Sequence, residues 1–190
     1  MSAAVGLQRR PVVPNAVLGM ALFLFTEVML FAGLLSAYLV LRGRAPVWPP
    51  LGQPRLPVLV TLANTGVLLA SGWAVRAARE KFDAQDVPKA ARALRLALAL
   101  GGLFVLVQGA EWAALVAHGL TATLSPYGST FVVLVGGHAL HVVVAVAALA
   151  WGARELSRGE LRRSGLTALS MYWAFVVALW PVLYALVYLW

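Results

Sequence analysis

Five apolar runs, each long enough to cross a lipid bilayer, divide this sequence at about residues 18–41, 57–78, 95–117, 128–152 and 167–190. The first, LGMALFLFTEVMLFAGLLSAYLVL, is 24 residues long. At 1.5 Å per residue it makes about 36 Å of helix, against a hydrocarbon core of roughly 30 Å. A hydrophobic content of 62%, a charged content of 12% and a mean hydropathy of +0.84 exclude a water-soluble globular domain. The expected fold class is therefore all-α: a polytopic transmembrane bundle of five helices, with residues 1–190 forming a single membrane domain. The spans and their connections take up nearly all of the sequence and leave no room for a separate substrate-binding lobe. Arg9 and Arg10 precede a first run that is too long for a signal-peptide core and carries Glu27, so it reads as a retained helix.

The net charge of +8 is distributed by loop. With the N-terminus on one side of the membrane, that side receives Arg9, Arg10, Arg76, Arg79, Lys81, Lys89, Arg92, Arg95, Arg154, Arg158, Arg162 and Arg163; the other receives Arg42, Arg44 and Arg55. The positive-inside rule makes the basic side cytoplasmic, with the N-terminus inside and the C-terminus outside. The expected location is the cell inner (cytoplasmic) membrane, with several passes. The basic balance reflects this topology and anionic headgroups, and implies no nucleic acid.

Polar residues inside the spans are the candidates for function. Glu27 sits near the bilayer midplane, where an ionisable group costs on the order of 3 kcal/mol and needs a partner, a cavity or a ligand. His138 and His141 lie three residues apart on one side of helix four. Gln108 and Glu111 occupy the outer part of helix three, with Trp112 as an expected interface anchor and His118 seven residues beyond Glu111. Asn64 and Thr65 read as cross-helix hydrogen-bonding groups. Gly137, with Gly136, and the pairs Ala32/Ser36, Gly33/Ala37 and Gly66/Ala70 have helix-packing spacing. Asp86 ahead of Pro88 is an expected N-cap.

Three chemistries fit these residues in principle. A proton relay or small proton-coupled transporter would use Glu27, Glu111 and the histidines, but five helices do not split into inverted repeats. A membrane cytochrome would ligate haem through His138 and His141, yet no second histidine pair and no cysteine completes such a site. The expectation is therefore no metal and no cofactor in this chain. No nucleophile elbow, phosphate loop, dinucleotide fingerprint or zinc-protease helix occurs, so no catalytic residue is expected.

In order along the chain, FLFTEVMLFAGLLSAY, TLANTGVLLASG, QGAEW, SPYGSTFVVLVGGHALHVVVAVAAL and YWAFVVALW resemble the conserved elements of subunit III of the haem–copper terminal oxidases. The resemblance spans essentially the whole chain and is closest to the short, five-helix bacterial form. It implies an accessory, cofactor-free subunit of cytochrome c oxidase type, in a complex that reduces oxygen to water and pumps protons. Haem and copper would reside in partner subunits: catalytic subunit I, with subunit II also in the complex. It further implies bound phospholipid in a cleft faced by Glu27, with Glu27, Glu111, His138 and His141 as lipid-binding or proton-related residues that support proton uptake and stability of the catalytic subunit. Ala174 and Val177 depart from the family's His and Asp, removing polar groups at one end of that cleft. The alternative implied by these departures is a subunit III paralogue associated with a nitric oxide reductase or a quinol oxidase.

Overall fold

A computed structural model describes residues 13–50, 56–119 and 126–189. Arg9, Arg10, Arg55, most of the second expected external loop and Trp190 lie outside the described residues. Five helices follow in order: α1 (Asn15–Arg44), α2 (Val58–Asp83), α3 (Val87–Ala117), α4 (Pro126–Arg158) and α5 (Arg163–Leu183), the last continuing as a π-helical segment (Tyr184–Leu189). All five are long and apolar enough to cross a membrane. Among the described residues there is no strand.

The short connections after α2 and after α4 make α2/α3 and α4/α5 antiparallel neighbours, whereas α1 does not pack along α2. Only Ala84, Gln85 and Asp86 join α2 to α3, and these two helices pack along each other. Gln85 takes a positive φ of 62° to turn the chain, and the Asp86 carboxylate accepts the Lys89 backbone N–H at 3.2 Å to start α3. Asp86 Oδ2 also lies 2.8 Å from Lys89 Nζ, and these bonds hold its carboxyl below the usual range. Arg163 at the start of α5 reaches Asp83 at the end of α2 at 2.8 Å, closing the basic end of the bundle.

α5 is the centre, touching α1, α2 and α4, whereas α1 packs only on α4 and α5 among the helices. Leu18, Leu22, Phe25 and Met29 of α1 are accordingly exposed. In lipid this carries no penalty, since acyl chains solvate leucine as well as protein does. The interior is aromatic: Trp173 and Trp180 of α5, Phe104 of α3 and Phe31 and Tyr38 of α1 are all buried. The last helix turns Trp173, Trp180, Tyr184 and Tyr188 inward.

Glycines make room for these rings at Gly136, which the spacing also marks, and at Gly101 and Gly152, which it does not. Gly33 and Gly66 face open space. A Cβ on Gly101 would stand 2.6 Å from Trp173 Cη2, one on Gly152 2.6 Å from Leu169 Cδ2, and one on Gly136 3.0 Å from Trp112 Cη2. Close approach is made by large side chains against bare backbone, so glycine spacing along one helix does not reveal it. Gly137 meets only Phe31, at 4.0 Å. Gly101→Ala is expected to destabilise the bundle by about 1–3 kcal/mol, because the buried Trp173 ring must shift. Gly33→Ala should instead be neutral or stabilising by up to about 1 kcal/mol, through helix propensity. Detergent-titrated unfolding in mixed micelles measures both.

Pro181 lies in the last turn of α5, just ahead of a change of helix type. Proline lacks an N–H and its ring crowds the carbonyl four residues earlier. The chain widens to π geometry over Tyr184–Leu189, a form that recurs at functional sites. The wider turn stacks Tyr184 on Tyr188, with ring centroids 5.6 Å apart and planes 27° apart. Tyr184 donates to the Val58 carbonyl at 3.1 Å. The Leu186 carbonyl accepts from Tyr38 at 2.9 Å and from Arg42 at 3.3 Å, tying the segment to α1.

Candidate functional site

Two polar clusters lie within the apolar spans. The first joins α1 to α4: His141 Nε2 is 2.9 Å from Glu27 Oε2, and the two side chains are 16% and 14% exposed. His141 Nδ1 is 2.7 Å from the Gly137 carbonyl oxygen, which can only accept, so Nδ1 carries a proton. The contact on the other nitrogen then needs one further proton, held by the ring or by the carboxyl. The pair is neutral overall in both arrangements, which is how α1 accommodates a carboxyl at this depth. Phe31 presents an edge to the imidazole with centroids 5.4 Å apart, and Tyr172 donates to the His141 carbonyl at 3.3 Å.

The second cluster is on the far side of α5. Glu111 Oε2 of α3 accepts from Gln108 Nε2 at 2.8 Å and from Thr61 Oγ1 at 2.9 Å. Gln108 Nε2 also lies 3.4 Å from the Tyr188 hydroxyl. Beside it, Asn64 donates to the Phe104 carbonyl at 3.1 Å, and Trp180 Nε1 donates to Thr65 Oγ1 at 2.9 Å. Further down α2, Trp173 Nε1 donates to Ser71 Oγ at 3.2 Å. Thr61, Asn64, Thr65 and Ser71 are all buried on the α2 face that meets α3 and α5. In an apolar helix such a stripe marks the inward side, because hydrogen-bonding groups avoid lipid.

The candidates therefore do not converge on one centre. His138 and His141 meet different neighbours: His141 turns to Glu27, while His138 stacks on Trp180 with centroids 5.1 Å apart. Three residues of helix place two rings about 60° apart around the axis, enough to send one to α1 and the other to α5. His118 ends α3, exposed, with Nδ1 2.7 Å from the Ala114 carbonyl, and takes no part in the Glu111 cluster. Trp112 is half-buried and lies over Gly136, with its Nε1 buried. Among the described residues no group of three or more His, Cys, Asp or Glu is placed to hold a metal ion. Thr61, Tyr172, Trp180 and Tyr188 complete the two clusters and were not singled out as partners from sequence. The polar stripe on α2 is the signal that would have found Thr61.

Ala174 and Val177 line a groove of about 480 Å3 between α2 and α5, together with Leu69, Trp73, Arg76 and Arg79. Its walls are apolar, its arginines lie toward the basic end, and Val177 packs against Gly72.

The family model for cytochrome c oxidase subunit III matches residues 2–190. Cytochrome c oxidase subunit 3 of Synechocystis sp. is 34% identical over 177 residues, covering 90% of this chain and 74% of that protein. The Sus scrofa protein of the same name is 34% identical over 184 residues, covering 90% and 68%. That of Thermostichus vulcanus is 29% identical over 177 residues, covering 91% and 86%. The five spans, the polar residues buried between them and a match running the whole length agree: the chain belongs to the cytochrome c oxidase subunit III family.

Proposed function

We propose that this chain is a lipid-binding accessory subunit that supports proton uptake and durability of the catalytic subunit in a respiratory haem–copper oxidase. Membership of the family makes it a subunit of an oxidoreductase complex, with no catalytic centre of its own. The observation that carries the reading is the family match from residue 2 to residue 190. In this reading the partners are the haem- and copper-bearing subunit I and subunit II, and the complex reduces oxygen to water. The chain resides in the cytoplasmic membrane with its N-terminus inside, supported by the excess of Lys and Arg at one end of the bundle.

The Glu27–His141 pair is the group through which the chain influences proton uptake, supported by the 2.9 Å contact between imidazole and carboxyl inside a span. The α2–α5 groove takes an acyl chain of a phospholipid, with its phosphate toward Arg76 and Arg79. Those arginines supply charge where Ala174 and Val177 offer none.

The test is to extract the tagged chain in mild detergent, identify what co-purifies, and record oxygen uptake and a reduced-minus-oxidised spectrum. Haem-bearing subunits with oxygen uptake are the expected result, and the partners found would name the electron donor. A colourless chain without partners, recovered from membranes that retain oxidase activity, would overturn the reading.

A further inference from the structure

A cavity of about 200 Å3 opens between α3 and α4, floored by Trp180 of α5. Its walls are mostly apolar, with Val105, Val135, Ala139 and Val142 among them. Three polar side chains line it, and each has a buried atom with no hydrogen-bond partner among the described residues: Gln108 Oε1, Trp112 Nε1 and both ring nitrogens of His138. His138 is 1% exposed and Gln108 6%. Leaving a buried donor or acceptor unsatisfied costs about 1–3 kcal/mol. Four such atoms around one cavity point to an occupant.

The chemistry of that occupant follows from the set. Trp112 Nε1 only donates and Gln108 Oε1 only accepts. No carboxylate lines the cavity to compensate an imidazolium, so His138 is neutral and offers one donor and one acceptor. No charged side chain lines the cavity at all, which disfavours an ion of either sign. An acyl chain would fill the apolar walls but satisfy none of the four atoms. A hydroxyl group both donates and accepts: one hydroxyl satisfies at most three of the four, and a second, or a water with its two protons, serves the remaining acceptor. At about 30 Å3 for each water the volume holds several, and it equally admits one ring-sized molecule lying against the Trp180 and His138 rings.

We infer that the cavity bounded by Gln108, Trp112 and His138 is a binding site for an uncharged hydroxyl ligand, supplied either by water or by a small hydroxylated ring compound dissolved in the bilayer. Gln108 is the link to the rest of the interior, since its amide nitrogen donates to Glu111 while its oxygen remains for the ligand. The site is distinct from the Glu27–His141 pair and from the α2–α5 groove, and stands whether or not those bind lipid.

The full chain, labelled with 15N at its three histidines and at tryptophan and reconstituted in phosphatidylcholine bilayers, tests this by solid-state NMR. Magnetisation transferred from water should reach the His138 ring nitrogens and Trp112 Nε1 about as fast as it reaches exposed His118. Ala139→Leu, which fills the mouth, should abolish that transfer while leaving the His141 signals unmoved. Val143→Phe, at the same mouth, is the second filling variant, should Ala139→Leu fail to fold. Phenol and toluene are then titrated. Saturable shifts of the His138 and Trp112 signals with phenol and not with toluene identify a ring compound as an accepted source, whereas fast water transfer without such shifts identifies water. Slow transfer to both residues together with no phenol-specific shift would overturn the site.

Discussion

Trp180→Ala is expected to lower the unfolding free energy of the bundle by about 3 kcal/mol, at the lower end of the range for deleting a buried aromatic. The ring is fully buried and joins four helices. Its Nε1 donates to Thr65 of α2 at 2.9 Å, its edge meets Phe104 of α3 at 5.3 Å, and its face stacks on His138 of α4 at 5.1 Å. In water such a deletion loses both transfer energy and packing. In lipid the transfer component falls away, because the separated helices remain in an apolar solvent, and the loss is dispersion plus the hydrogen bond. Trp180→Phe restores much of the ring but not the N–H, and should cost about 1 kcal/mol through the lost donor to Thr65 Oγ1, whose own hydroxyl still donates to the Thr61 carbonyl. Detergent-titrated or steric-trap unfolding of both variants measures the difference. Equal losses would show that the hydrogen bond, and not the packing, carries the contribution of this residue.

The helices of this chain are legible in its sequence because the cause is local. A run such as residues 18–41 carries only Thr26, Glu27, Ser36 and Tyr38 among its apolar residues, and Thr26 returns its hydroxyl to the Phe23 carbonyl of its own helix at 2.7 Å. The start of α3 is equally local, being set by Asp86 and Pro88. Rotation of each helix about its axis is not local, and the reading of the site was incomplete for that reason. The spacing of His138 and His141 places them on neighbouring faces, but only packing decides that one finds a carboxyl and the other an indole. Trp112 reads from sequence as an interface anchor, and only packing shows that its ring lies over Gly136 of another helix. The π segment follows Pro181 and is held by Tyr38 and Arg42 of α1 on the Leu186 carbonyl and by its own Tyr184 on the Val58 carbonyl, and a local reading of Tyr184–Leu189 sees only one more apolar turn. The polar stripe on α2 was the exception. Thr61, Asn64, Thr65 and Ser71 repeat at helical spacing and mark the buried face by themselves.

Glu27→Ala is expected to destabilise the α1 contact by about 3 kcal/mol, because it leaves His141 Nε2 without its partner at membrane depth. The double variant Glu27→Ala, His141→Ala should lose less than the sum of the single losses, with a coupling of at least about 1 kcal/mol, since the second change removes the group stranded by the first. Glu27→Gln keeps an amide N–H able to donate to Nε2 and should retain most of the stability. It removes the carboxyl, however, and this separates the structural role of the pair from the proposed role in proton uptake. If the pair only fastens α1 to α4, an oxidase carrying Glu27→Gln will match the wild type in turnover lifetime and in proton uptake, and only Glu27→Ala will fall short. If the pair also exchanges protons, Glu27→Gln will assemble normally and retain its lipid, yet lose activity during turnover sooner than the wild type. Measuring subunit content, bound phosphorus and the decay of oxygen uptake on the same preparations distinguishes the two, because a carboxyl held only for packing has no reason to be missed when an amide fills its place.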